Sequence, residues 1–177
     1  RKDTSAIAIA AAINKVSSQT GVKAVANANI YTGTGFGAVS ADGNLYLNGV
    51  KIAVSTTATS KAIDVVNQIN AYSVATGVVA SDNGSGVTLA AADGRNIEIG
   101  FSAGNGAMTA AGLGLTASTF DSANSRSAPM LSATSAGDAL TVYTASISMV
   151  SDKSFTVAAG SGSSALAHLA QLGISEG

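Results

Sequence analysis

Apolar residues recur along this chain with two different periods. Ala6, Ile9, Ala10, Ile13 and Val16 fall at helical spacing and make one stripe on one helix face. Asp3 or Thr4 is placed to cap its start, and Ser17, Ser18, Thr20 and Gly21 supply its stop. The period then changes to two: Val22, Ala24, Ala26, Ala28 and Ile30 share a face, which predicts one strand over 22–31. Gly33, Gly35 and Gly37 predict a loop. Leu45-Tyr46-Leu47 and Val50-Lys51-Ile52 read as two strands around Asn48-Gly49, a dipeptide favoured in type I′ hairpin turns because both residues accept positive φ.

A second helix follows, with Ala62, Val65, Val66, Ile69 and Tyr72 on one face and Ser60 as its predicted N-cap. Strands are predicted at 78–81 and 87–90 around an Asp82-Asn83-Gly84 turn. Another is predicted at 97–101, after the Asp93-Gly94 turn, with Ile97, Ile99 and Phe101 on one face. A short helix over about 105–111 is expected to end at Leu113-Gly114-Leu115. The polar run 116–127 reads as a connector. Strands are predicted again at 139–143, 147–150 and 155–157, and a last helix at 163–172, ending at Leu172-Gly173-Ile174.

The chain repeats itself. At an offset of 56 residues and without a gap, Ala6-Ile7 matches Ala62-Ile63, Ile13-Asn14 matches Ile69-Asn70, Thr20-Gly21-Val22 matches Thr76-Gly77-Val78, and Ala24 matches Ala80. A second correspondence, offset by 59, sets Asp93 against Asp152 and Leu113-Gly114-Leu115 against Leu172-Gly173-Ile174. The pattern predicts an α+β fold of short antiparallel strands and hairpins packed with short helices. It forms two related units, the second inserted into the first. The first, discontinuous unit takes residues 1–38 and 130–177, the inserted unit 43–116, and a connector 117–129. On this reading the hairpin that should precede the first helix lies ahead of Arg1, and the sequence is a piece of a longer chain.

Composition narrows the chemistry. Alanine, serine and glycine make up 79 of the 177 residues, charged residues only 11%, and cysteine and tryptophan are absent. Without cysteine there is no disulfide, thiol catalysis or Cys/His zinc site. A net charge of −1 lacks the basic footprint of a nucleic-acid binder. No stretch approaches the ~18 apolar residues of a membrane-spanning helix.

The strongest enzymatic motif is Gly100-Phe101-Ser102-Ala103-Gly104, followed by Asp121 or Asp138 and by His168, the Ser…Asp…His order of α/β-hydrolases. It is a short match in a chain rich in glycine and serine. No His-Gly-Gly-Gly-type oxyanion segment precedes it, and the repeat accounts for the same stretch. We therefore expect no catalytic, cofactor-binding or metal-binding residues. The single aspartates at Asp42-Gly43 and Asp93-Gly94 suit turns, and no calcium loop is present. Gly33-Thr34-Gly35-Phe36-Gly37 does not complete a phosphate-binding loop. Asn83-Gly84-Ser85 matches the N-glycosylation pattern but suffices as a turn. Two Ser/Thr-rich runs, 55–59 and 118–127, are expected to be exposed hydroxyl clusters.

Certain residues carry a resemblance. The two Ile-Asn helices (Ile13, Asn14; Ile69, Asn70), each followed by Thr-Gly-Val (Thr20, Gly21, Val22; Thr76, Gly77, Val78), resemble the IN motif of bacterial flagellins and hook-associated proteins. So do the Leu-Asn-Gly-Val-Lys-Ile hairpin and the segment Asp93, Gly94, Arg95, Asn96, Ile97. The resemblance implies a structural, extracellular role in the flagellar filament. These residues would form surface-exposed outer domains, and other flagellin subunits would be met through terminal helices this stretch lacks. It further implies O-linked glycans and antibodies as partners of the exposed loops, with no nucleic acid, membrane insertion or cofactor. A hook-associated junction or cap protein, or an adhesin or glycan-binding surface domain, is the alternative.

Overall fold

A computed structural model describes residues 5–103, 108–117 and 141–157. The fold is α+β, with short antiparallel strands in sheets and a few short helices. The first helix, α1 (Ala6–Lys15), runs into a single turn, α2 (Ser17–Thr20), and then strand β1 (Val22–Ala26). After β2 (Asn29–Thr34) come the hairpin strands β3 (Ala41–Leu47) and β4 (Val50–Thr56). A second helix, α3 (Ala62–Asn70), again runs through a single turn, α4 (Ser73–Thr76), to a strand, β5 (Val79–Asp82). Strands β6 (Val87–Ala91), β7 (Ile97–Ala103), β8 (Thr116–Ala117), β9 (Thr141–Tyr143) and β10 (Ile147–Ser151) complete the described set.

Three sheets result: a pair, β1-β10, and two four-stranded sheets, β5-β6-β2-β8 and β4-β3-β7-β9, with every pairing antiparallel. The larger core brings α3 together with the four-stranded sheets. Val65 and Ile69 of α3 join Leu45, Leu47, Ile52, Leu89, Ile97 and Ile99 there, all 0% exposed. Burying each such side chain is worth roughly 1.5–3 kcal/mol. The smaller core joins Ala6 and Ala10 of α1 to Ala24, Ala145 and Ile147. It is thin because alanine supplies most of it.

The β3–β4 hairpin closes as expected, with Asn48 at φ 50° and Gly49 at φ 80°, the two positive-φ residues of a type I′ turn. Both helix caps differ from expectation. Ser5, not Asp3 or Thr4, caps α1 by accepting from the Ala8 N–H at 3.2 Å. Lys61, not Ser60, is the N-cap of α3, where the Asp64 carboxylate accepts from the Lys61 N–H at 2.7 Å. Ser60 is occupied in the preceding turn, its hydroxyl accepting from Thr57 N–H at 2.9 Å.

The single strand expected over 22–31 is two strands in two sheets. Asn27 breaks the run: its N–H and Nδ2 donate to the Ser146 backbone and hydroxyl oxygens, each at 2.9 Å. Buried Asn29 then donates through Nδ2 to Arg95 O at 3.0 Å and Tyr143 O at 2.8 Å, which ties β2 to distant parts of the chain. The inward phase flips, so Tyr31 is buried while Ile30 is 60% exposed. Alternation on both sides of a two-residue joint reads as one strand, because each piece separately keeps period two.

Gly33, expected in a loop, lies in β2 opposite Ala117. Residues 155–157, expected as a strand, are irregular, and Phe155 is 42% exposed. Of the helix expected at 105–111, the described part is irregular up to residue 109 and turn from 110 onward. Residues 105–107, the loop 118–127, residues 139–140, His168 and the helix at 163–172 lie outside the described residues.

Tyr31 and Tyr143 pack with ring centroids 4.7 Å apart, and the Tyr31 hydroxyl donates to Leu115 O. Burial, reinforced by the Tyr143 phenol, pushes Tyr31 well above its ordinary range, and burial raises Tyr143 too. A phenol raised in the folded state gives stability that is complete below its unfolded value and is lost as pH climbs through the folded one. The melting temperature should therefore fall as pH rises above about 10. In Tyr31→Phe that fall should be shallower, and the variant should lose about 1 kcal/mol at neutral pH with its hydrogen bond. Thermal melts of both proteins across the alkaline range check this.

Candidate functional site

The residues singled out by sequence gather at two helix–turn–strand joints. Asn14 leaves the last turn of α1 and reaches across to β1. Its Nδ2 donates to Ala24 O at 2.8 Å, and its Oδ1 accepts from Ala24 N–H at 2.8 Å. Asn70, at the end of α3, does the same to β5, donating to Ala80 O at 2.9 Å and accepting from Ala80 N–H at 2.7 Å. Each carboxamide thus pairs both backbone groups of one residue on the open edge of its strand. A primary amide offers the same donor and acceptor as a peptide group, so it substitutes for one rung of a missing strand.

The turns between helix and strand match as well. The Thr20 and Thr76 hydroxyls donate back to Val16 O and Tyr72 O, each at 3.1 Å, and accept from the Val22 and Val78 N–H groups at 3.2 and 3.1 Å. Gly21 at φ 71° and Gly77 at φ 69° end the two short turns in the left-handed region, where a side chain is strained. Ile13 and Ile69 pack on the cores, Ile69 fully buried and Ile13 half-buried.

In the third motif segment Asp93 and Arg95 serve the second joint, while Gly94 lies against Ala26 and Asn27 at the end of β1. Asp93 and Arg95 form a bidentate pair, with Nη2 to Oδ2 at 2.7 Å and Nε to Oδ1 at 3.1 Å. Hydrogen bonding from Arg95 holds Asp93 below its usual carboxylate range, and the same bond raises Arg95. The guanidinium lies over Gly77, and Nη1 donates to Thr76 O at 3.4 Å. Gly94 turns the chain, Asn96 follows, and Ile97 starts β7 in the core. Asn48 adds a second donor, its Nδ2 to Thr76 O at 2.9 Å, while its Oδ1 accepts from Glu98 N–H at 2.8 Å. The sequence marks Asn48 only as a turn residue. Asparagine is the usual first residue of a type I′ turn, so the sequence carries no signal of this further role.

Other motifs acquire structural duties. Ser102 sits inside β7 opposite Asn44, in a regular ladder rather than on a strand-to-helix elbow. Asn83 shapes its turn by accepting from Ser85 and Gly86 N–H at 2.9 and 2.8 Å, and it donates to Gly33 O at 2.9 Å. Thr57, Thr59 and Ser60 form a hydroxyl cluster at the surface, with Thr57 Oγ1 3.1 Å from Thr59 Oγ1. Among the described residues no group of acidic or histidine side chains could hold a metal ion, and no helix is long and apolar enough to cross a membrane.

Comparison with protein families gives a match to the flagellin hook IN motif over residues 1–43. The match supports a flagellin-related protein. It spans α1, the Asn14 clamp, the Thr20-Gly21 turn and β1. No curated protein matches the chain.

The geometry sets an order of effects. Asn70→Ala should destabilise by about 2 kcal/mol, because it strips partners from two backbone groups, and Asn14→Ala by less, because its clamp is more exposed. Gly77→Ala should cost more than Gly21→Ala. A methyl group at Gly77 would overlap the Arg95 guanidinium, whereas one at Gly21 would meet only Ser151 Oγ at 3.8 Å among the described residues. Adding Arg95→Ala should close most of that gap. Urea titrations of the four single variants and the double variant measure it.

Proposed function

We propose that this chain forms surface-exposed outer domains of a flagellin and serves a structural role in the bacterial flagellar filament. The hook IN motif suggests a flagellin-like filament or hook component. The observation that carries the finer reading is the duplicated clamp: two helices held to two edge strands by the same carboxamide contacts at the same ten-residue spacing. Such joints stiffen small units without a thick core. That suits domains whose work is to cover a filament, resist shear and present loops to the medium.

In this proposal the units are nested, the second inserted into the first. The pairing of β1 with β10 supports it, because the whole second joint lies between those two strands in sequence. The boundary of the first unit is drawn near residue 28 rather than 38, since β2 pairs with β6 and β8. Its later part begins after β9, which pairs with β7.

Immunogold labelling of intact flagella with antibodies raised against this chain tests the assignment. Labelling along the whole filament is the expected result. Labelling confined to the hook–filament junction or the distal tip would replace the filament reading with the hook-associated one, and bare flagella would overturn both.

A further inference from the structure

Carboxamides close the long sheet edges of this chain, with one exception. Asn14 takes both backbone groups of Ala24 on β1, and Asn70 both of Ala80 on β5. A third clamp stands on β4, where Gln68 Oε1 accepts from Ser55 N–H at 2.9 Å and Gln68 Nε2 donates to Ser55 O at 3.0 Å. The edge strands β8 and β9 are only two and three residues long. Strand β10 has five residues, lies at a sheet edge and carries no clamp among the described residues. The register fixes which of its groups are left over. Ala24 turns its N–H and C=O toward Asn14 and away from β10, and in an antiparallel ladder the residue opposite turns its own groups away too. Val22, Ala24 and Ala26 stand opposite Ser151, Met149 and Ile147. Those last three therefore present N–H and C=O along the outer side of β10, where no described residue bonds them. Residues 147–151 also contain no charge and no proline, the usual deterrents to edge pairing.

We propose that this edge is an interface for a second copy of the chain, β10 pairing with β10 antiparallel across a two-fold axis at Met149. A row of alternating backbone donors and acceptors takes a strand. The other long edges of a second copy are clamped, so the edge it has to offer is β10 itself. An edge that meets itself closes as a two-fold pair and propagates no further. The register follows. Only with Met149 on the axis do all three outward-turned residues find partners, Met149 with Met149 and Ile147 with Ser151 of the other copy. Ser148 then stands opposite Val150 of the other copy on the solvent face. Val150 is 64% exposed and Val25 61%, and pairing gathers them with the second Val150 into one apolar strip. Asp152 and Lys153 follow the strand at one end, so antiparallel pairing sets the flanking charges of the two copies at opposite ends. Failure of the flagellar reading would leave the proposal standing, because it rests on the free edge and not on where the protein works.

Sedimentation velocity of the whole chain, at concentrations up to about 1 mM, reads the association. A dimer that grows with concentration and stops at two copies is expected. M149P removes an outward donor that β1 does not use, so it should abolish the dimer while circular dichroism keeps the strand content. Cysteine trapping tests the register with two exposed positions in a chain that has no other thiol. S148C and V150C chains mixed together should form a disulfide at least about ten-fold faster than either alone, because only the mixed pair stands directly opposite. A chain that stays monomeric throughout would overturn the proposal. So would a dimer that folded M149P retains, or equal cross-linking in the mixed and single samples.

Discussion

A single carboxamide laid against the open edge of a strand is the interaction on which the rest of this structure depends. Strands β1 and β5 are edge strands in their sheets among the described residues. An uncovered edge leaves backbone groups to water and invites pairing with other chains. Asn14 and Asn70 close those edges from the neighbouring helix, so one side chain both satisfies the backbone and docks the helix. The Thr-Gly turn sets the distance at which this works. The threonine hydroxyl ties the helix end to the strand start, and the left-handed glycine reverses the chain in the space left.

That device explains how a chain with few aromatics holds its shape. The smaller core is built largely from alanine, and its burial supplies little free energy for each residue. Directional bonds take a larger share there. Asn27, Asn29, Asn48 and Asn83 all use their carboxamides to join segments that the hydrophobic pattern leaves apart. The low charge has a matching consequence. Among the described residues Asp93 with Arg95 makes the one ion pair, and it serves to lay a guanidinium over Gly77.

Much of the fold is legible where a local rule governs. The apolar stripes locate α1 and α3, and Asn48-Gly49 locates the hairpin turn, because helix period and positive φ are properties of neighbouring residues. The joints themselves are visible as matched spellings, Ile-Asn and Thr-Gly-Val at a constant offset. What those spellings do is not legible, since a bond from Asn14 to Ala24 exists only once the helix folds onto the strand. The break at Asn27 is hidden for the same reason: its partner, Ser146, is 119 residues away. Residues 155–157 carry strand-forming side chains, but no described strand pairs with them.

If each carboxamide acts as a rung of the sheet, amide hydrogen exchange at Ala24 and Ala80 shows it most directly. Both N–H groups donate to an asparagine oxygen and not to the paired strand. In the unmodified chain both should exchange as slowly as their ladder-bonded neighbours. Each should speed up selectively when its own asparagine becomes alanine, by about ten-fold or more. Exchange of either amide at the rate of an open loop in the unmodified chain would contradict the rung.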